Sequence, residues 1–274
     1  MQKLELTTDA PLLQSTCYVQ PFLSLYNEDC LLTLSRIEKG TVDLLLQDLP
    51  YGTTQNDWDK VPNLTEMWKE WKRILKPDGL AIFTAQQPFT SELVMSQKDL
   101  FKCDWIWMKE KGTGHLNATK YPLRNHEHVL IFGNTVKKYT PQFINDKPYQ
   151  RLGGSKNSLN KGNYGATNES YDTVSTGERY PQTIQFFPSD SQRFGSLHPT
   201  QKPIDLMRYL LRTYSKKNDL VFDGYSGSGT TAHACIKEGR KFIGSELNKE
   251  YYDKAVIRLS NAISQPEMFN GVGL

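Results

Sequence analysis

Asp48-Leu49-Pro50-Tyr51 sets a carboxylate, two residues that offer backbone carbonyls and an aromatic ring side by side in the chain. Those groups can hold a planar heterocycle by an exocyclic amine. A carboxylate and a carbonyl accept its two N–H bonds while the ring stacks on its face, a contact of about 1–3 kcal/mol per base. The competing reading is a surface turn, because Pro50 and Gly52 end any strand or helix.

A second stretch, Asp223-Gly224-Tyr225-Ser226-Gly227-Ser228-Gly229-Thr230-Thr231, reads as a strand end, a glycine turn and a helix start. The glycines let the backbone approach a ligand where a side chain would collide, and Thr230 and Thr231 open the helix at its positive end. Seventeen residues beyond Gly229, Glu246 ends another apolar run and is placed to accept hydrogen bonds from a ribose diol.

Both stretches need strands to carry them. Val42-Asp43-Leu44-Leu45-Leu46 has the length and composition of a buried parallel strand, so Asp48 and Tyr51 fall at its C-terminal edge, where open α/β sheets bind ligands. Tyr18 to Tyr26 reads as one short strand followed by a helix through Ile37. Asp29 then either faces the same crevice or caps that helix. A helix over Asp57 to Leu75 repeats Leu64, Met67, Trp68, Trp71 and Leu75 at spacings of three and four, which puts both tryptophans on the core face. The turn Lys76 to Gly79, a strand Leu80 to Thr84, a helix Ser91 to Gln97 and strands Asp104 to Met108 and His128 to Phe132 complete this half. Further on, a helix through Tyr214, strands Asp219 to Asp223 and Phe242 to Ser245, and a helix Thr230 to Glu238 are expected.

The loop Lys109 to Asn125 carries Lys109, Lys111, Lys120 and Arg124 with His115, Asn117 and Tyr121, and reads either as phosphate-contacting or as a solvated hairpin loop. From Asn134 to Leu197 the texture changes to Gly, Asn, Ser, Thr, Tyr and Lys, with eight Lys and Arg against five Asp and Glu and with tyrosines interleaved. That span is the candidate insertion, suited to a nucleic-acid surface and also to a linker. The division expected is 1–133, an inserted 134–197, and 198–274 returning to the first domain.

A chain of 274 residues with 38% hydrophobic content supports one substantial α/β core with an insertion. A net charge of +3 permits nucleic-acid binding without announcing it. Cys17, Cys30, Cys103 and Cys235 form no C-x-x-C pair, so neither a disulfide framework nor a metal site is expected, and a reducing cytoplasm fits. No apolar run reaches the roughly 18 residues of a membrane span. The start Met1-Gln2-Lys3-Leu4-Glu5 lacks a signal peptide's apolar core, so a soluble, cytoplasmic protein without a membrane partner is expected.

Gly227-x-Gly229-x-x-Ala232 with a later acid also fits an NAD-dependent oxidoreductase. The 45 residues after Gly229 are too few for the second half that a dinucleotide fold builds there. No G-K-[ST] occurs in the turn, which excludes a Walker loop.

Taken together, the two stretches resemble the amino-methyltransferases of DNA, in the permuted group whose catalytic motif precedes the S-adenosylmethionine motif. Asp48 to Tyr51 resembles their D-P-P-Y, Asp223 to Thr231 their D-P-F-x-G-S-G-T-T, and His198-Pro199-Thr200-Gln201-Lys202-Pro203 their H-P-T-Q-K-P; Pro122 to Glu127 also resembles a family stretch. Leu49 replaces the first proline and Gly224-Tyr225 replaces Pro-Phe. Leu49 keeps the carbonyl, and Tyr225 keeps the ring.

The resemblance implies a Rossmann-like α/β methyltransferase fold: a mostly parallel sheet with a terminal antiparallel hairpin, plus an inserted recognition region. It implies Asp48, Leu49, Pro50 and Tyr51 as the catalytic set. Asp29, Lys202, Asp223, Tyr225, Gly227, Gly229, Thr230 and Glu246 are implied around S-adenosylmethionine. The implied partner is DNA, with a homodimer and a cognate restriction endonuclease as further partners and a prokaryotic or phage-type cell as the setting. An initial Asp in the motif favours N6 of adenine over N4 of cytosine as the target. A DNA-binding module without catalysis is the remaining alternative, against which the intact acid and glycine turn argue.

Overall fold

The computed structural model describes residues 16–53, 59–136, 138–151, 173–190 and 201–264. His198 to Thr200 and 152–172 of the expected insertion lie outside the described residues. The described residues divide into two compact units, one built from the chain up to Thr140 and from Thr183 onward, the other from Pro141–Gln182.

The first unit opens with Cys17–Gln20 (β1) and Leu23–Tyr26 (β2), an antiparallel pair where the sequence suggested one strand. Pro21 explains the break, since it has no N–H to give a ladder and falls in the turn. Cys30–Arg36 (α1), Val42–Asp48 (β3), Leu64–Ile74 (α2), Leu75–Ala85 (β4), Phe89–Ser96 (α3), Phe101–Thr113 (β5) and Arg124–Gly133 (β6) follow. The α2 helix starts at Leu64, later than its apolar periodicity suggested, because Asn63 caps it by accepting the Thr65 and Glu66 N–H groups. The turn expected at Lys76 to Gly79 is absorbed into β4 as an irregularity: Val42 pairs with Leu75, but Leu44 pairs with Leu80.

The second unit holds Ile144–Asn145 (β7), Tyr149–Arg151 (β8), Thr173–Ser175 (β9) and Glu178–Arg179 (β10). Pairing of β7 with β10 and of β8 with β9 makes two successive lengths of one antiparallel ribbon. Strands of two or three residues carry too little alternation to be read from sequence. Returning to the first unit, the chain forms Ile184–Phe186 (β11), Ile204–Tyr214 (α4), Leu220–Asp223 (β12), Thr230–Glu238 (α5), Lys241–Ser245 (β13) and Lys249–Ser264 (α6).

The main sheet runs β1-β2-β13-β12-β3-β4-β6-β5-β11. From β2 to β4 the neighbours are parallel, while β6 runs antiparallel to both β4 and β5. Both faces are covered. Leu44, Leu46, Ile82 and Ile131 pack with Leu210, Ala234 and Leu259 of α4 to α6, and Leu45, Phe83 and Phe132 pack with Leu34, Trp68 and Trp71 of α1 and α2. Burial on both sides is why Leu44-Leu45-Leu46 reads as continuous apolar chain instead of alternating. Trp68 and Trp71 are core residues, as their spacing indicated. Among the described residues no helix is long and apolar enough to cross a membrane.

Candidate active site

Parallel pairing brings several strand ends to one edge. Phe222 of β12 lies opposite Leu45 of β3, Asp223 opposite Gly244 of β13, and Ser245 opposite Tyr26 of β2. Asp48, Asp223, Glu246 and Asn27 to Asp29 therefore arrive together, at the carboxyl ends where α/β sheets place ligands. Because β6 runs backwards, its beginning reaches this same edge: Ala85 pairs with His128, and Glu127 pairs with Trp107.

Asp48 sits in a dense polar cluster. Its Oδ1 accepts from the Thr84 hydroxyl and lies 2.7 Å from the Tyr51 hydroxyl, while Oδ2 accepts from Lys202 Nζ at 2.7 Å. A carboxylate has about four acceptor positions, so the described residues leave a lone pair on Oδ2 unused. The Asp48 side chain is 26% exposed where that of Lys202 is 5%. Asp48 is thus partly open to solvent beside a buried cation.

Tyr51 oxygen lies 2.9 Å from Thr84 Oγ1 and 3.1 Å from Glu127 Oε2, so its single proton can serve either carboxylate. Burial, then the charges of Asp48 and Glu127, push this phenol well above its usual range. Its ring stacks on Phe89, with centroids 5.8 Å apart and planes at 26°. Lys202 Nζ also lies 3.4 Å from Glu127 Oε2, and Lys109 Nζ pairs with Glu127 Oε1. Burial would lower the Lys202 pKa, but the carboxylates of Asp48 and Glu127 hold it above its ordinary value. In the same way burial opposes ionisation of Glu127, and Lys202 and Lys109 outweigh it, keeping its pKa low.

The glycine turn is the second part of the site. Gly227 and Gly229 take φ of +52° and +75°, the left-handed region that favours glycine, and the space a Cβ on Gly227 would enter is open within 4 Å. Glu246 binds the turn directly: Oε2 accepts the Gly227 N–H at 2.7 Å and Oε1 the Asn248 N–H at 2.8 Å. Burial raises the Glu246 carboxyl above its usual range. Asp223 is buried beneath the turn, accepts the Tyr225 N–H at 3.0 Å, and is pushed by burial up to about 7. The Tyr225 hydroxyl accepts from Cys30 Sγ at 3.5 Å, so the phenol that replaces the resemblance's phenylalanine has a partner. Thr230 begins α5.

Asp29 stands at this edge with its side chain accepting the Leu31 N–H at 2.8 Å, the helix-cap geometry. Lys202, expected beside the cofactor, has its ammonium on Asp48 and Glu127. Lys109, expected in a loop, lies within β5, as does Lys111, and its charge is engaged by Glu127. Thr84 and Glu127 drew no role from the sequence. Thr84 is one more strand residue, and Glu127, although it closes the Pro122 to Glu127 stretch that resembles the family, joins the site through Lys202 and Tyr51, far away in the chain. The adenosine part of a nucleoside cofactor finds fitting groups here: an acid on a glycine turn with open space before it, an exposed acid at Asp29 and the ring of Tyr225.

The chain is similar to Type II methyltransferase M1.MboII of Moraxella bovis, at 27% identity over 258 residues that cover 84% of this chain and 94% of that protein. DNA adenine methyltransferase YhdJ of Escherichia coli (strain K12) is 28% identical over 253 residues, covering 85% and 81%. Among solved structures, the M1.HpyAVI–SAM complex matches with a TM-score of 0.59 and 22% identity over 86% of this chain and 98% of that one. PvuII DNA methyltransferase (cytosine-N4-specific) matches with a TM-score of 0.58 and 16% identity over 89% and 92%. These two likenesses establish the fold. The N6_N4_Mtase family, described as DNA methylase, matches residues 42–257, from the first residue of β3 into α6, and the chain belongs to that family.

Proposed function

We propose that this DNA methylase transfers a methyl group from S-adenosylmethionine to N6 of adenine in a specific DNA sequence. The observation that carries the reading is the partly exposed Asp48 carboxylate, which keeps an acceptor position that no described residue uses, is followed in the chain by Leu49, meets the Tyr51 hydroxyl at 2.7 Å and stands on the same sheet edge as the glycine turn. S-adenosylmethionine supplies an electrophilic methyl group. An amine conjugated to a heterocycle is a poor nucleophile, so the protein must localise its lone pair. Asp48 and the Leu49 carbonyl accept the two amine hydrogens, which aims that lone pair at the methyl. Pro50 follows the end of β3 and keeps the chain from continuing as strand or helix there. Glu246, Asp29, Tyr225, Gly227, Gly229 and Thr230 hold the cofactor, and Asp223 braces the turn from beneath.

The target amine is out of reach inside a duplex, so the base must leave the stack at a cost of a few kcal/mol, which stacking on Tyr51 partly offsets. Incubating the chain with labelled cofactor and DNA of known sequence tests the reaction, and DNA that stays unlabelled would count against it. Adenine is favoured by the initial Asp48 and by the adenine specificity in the name of YhdJ. Digesting the product to nucleosides should yield N6-methyladenine; N4-methylcytosine alone would reverse the target while leaving the fold in place.

Site choice is assigned to the inserted region, read from sequence as 134–197 and containing the compact Pro141–Gln182 unit. Its ribbon exposes Phe143, Ile144, Tyr149, Val174 and Tyr180, and Arg179 lies 4.8 Å over the Tyr149 ring. A two-stranded ribbon of this kind fits a DNA major groove. Replacing the unit with that of a relative should change or abolish site choice while cofactor affinity stays within about twofold, since the glycine turn is elsewhere in the chain. A hybrid that still methylates the original sequence would place recognition elsewhere. A homodimer and a cognate restriction endonuclease belong to the same reading; sedimentation of the chain with and without DNA checks the first.

A further inference from the structure

We propose that Glu127 is a positioning residue for methyl transfer: in contact with Lys202, its carboxylate offsets the ammonium that Asp48 touches, so Asp48 keeps its negative potential for the target amine. The inference rests on the reading of Asp48 as the amine acceptor. Glu127 itself has a side chain only 6% exposed, so it acts through its neighbours and does not touch the base.

The reasoning starts from the Asp48–Lys202 pair. With 2.7 Å between Oδ2 and Nζ, the two charges form a contact pair whose potential nearly cancels a short distance away. The amine nitrogen gains positive charge as it bonds to the methyl carbon, and a cancelled pair stabilises that charge less than a carboxylate does. Glu127 restores the balance, because Oε2 lies 3.4 Å from the same ammonium. Along these contacts the charges alternate: Asp48, Lys202, Glu127 and Lys109. Lys109 ends the series and is more exposed than Lys202 or Glu127, with 16% of its side chain in solvent, so its charge is the more screened. The Tyr51 hydroxyl lies between the two carboxylates, 2.7 Å from one and 3.1 Å from the other, and fixes their spacing. Gln86 Nε2, 3.4 Å from Glu127 Oε1, is a neutral donor to the same group.

A purely mechanical role makes a different prediction. Gln at 127 keeps the shape and an acceptor for Tyr51, so a mechanical brace would survive E127Q, and the charge at 109 would be irrelevant. If the charge matters, E127Q leaves Lys202 and Lys109 facing Asp48 alone.

Steady-state kinetics of the full chain on a DNA carrying its site separate these cases. E127Q should lower kcat roughly ten- to a hundredfold, with KM for DNA and calorimetric affinity for the cofactor within about twofold of the wild type. Adding K109M to E127Q restores the local charge count and should recover kcat by at least about fivefold. A kcat for E127Q within about twofold of the wild type overturns the assignment, as does a double variant no faster than the single one. Should E127Q fail to accumulate as folded protein, the double variant decides alone: kcat within about tenfold of the wild type supports the role, and a larger loss overturns it. A wild-type chain that transfers no methyl group to DNA would instead overturn the reading of Asp48 and this inference with it.

Discussion

Replacing Asp48 with Asn or Ala should reduce methyl transfer by at least about a thousandfold while leaving cofactor affinity within about twofold. The Asp48 carboxylate is partly exposed at the sheet edge and keeps an acceptor position that no described residue uses, and the glycine turn that would hold the cofactor is held by Glu246 and Asp223. Asn keeps the volume and one acceptor but removes the charge that localises the amine lone pair. The two variants should differ in stability. Ala deprives the buried Lys202 of its 2.7 Å partner and leaves Glu127 at 3.4 Å as the nearest carboxylate, so a cost of about 1–3 kcal/mol is expected. Single-turnover transfer to labelled DNA, with calorimetry for the cofactor, measures both halves. Near wild-type turnover in D48N would remove Asp48 from the chemistry.

Glu246→Gln and Glu246→Ala should weaken S-adenosylmethionine binding by about 1.5–3 kcal/mol, roughly ten- to 150-fold in Kd, through loss of a charge-assisted bond to the ribose. Ala should be the worse of the two, because Glu246 also holds the Gly227 and Asn248 N–H groups, and Gln can still accept from one of them. The direction with pH follows from burial. The folded carboxyl titrates above its usual range, so affinity should start to fall at a higher pH on acidification than an exposed glutamate would give. Calorimetric titration against pH tests both statements. An unchanged Kd in E246A would take Glu246 out of the cofactor site, whatever its place in the turn.

The sequence by itself determined the sheet strands that carry the site and the type of chemistry at their ends. Leu44-Leu45-Leu46 is apolar without alternation because both sheet faces are covered, and Asp48 and Glu246 end their runs where parallel strands present ligand-binding edges. The glycines of the 223–231 turn are demanded locally by positive φ at 227 and 229, so they too were legible. Trp68 and Trp71 declared themselves as core through helical spacing alone.

Tertiary structure decided which groups meet. The hairpin at Pro21 depends on which sheet edge is free to take a strand, and the start of α2 on a single capping residue, Asn63. The short pairings of the 141–182 ribbon contain too few residues for periodicity to show. Above all, the Asp48 cluster joins β3, β4, the reversed start of β6 and the residue before Pro203. Electrostatic partnership falls off with distance in space and is blind to distance along the chain, so Lys202 and Glu127 became its members only once the sheet had assembled.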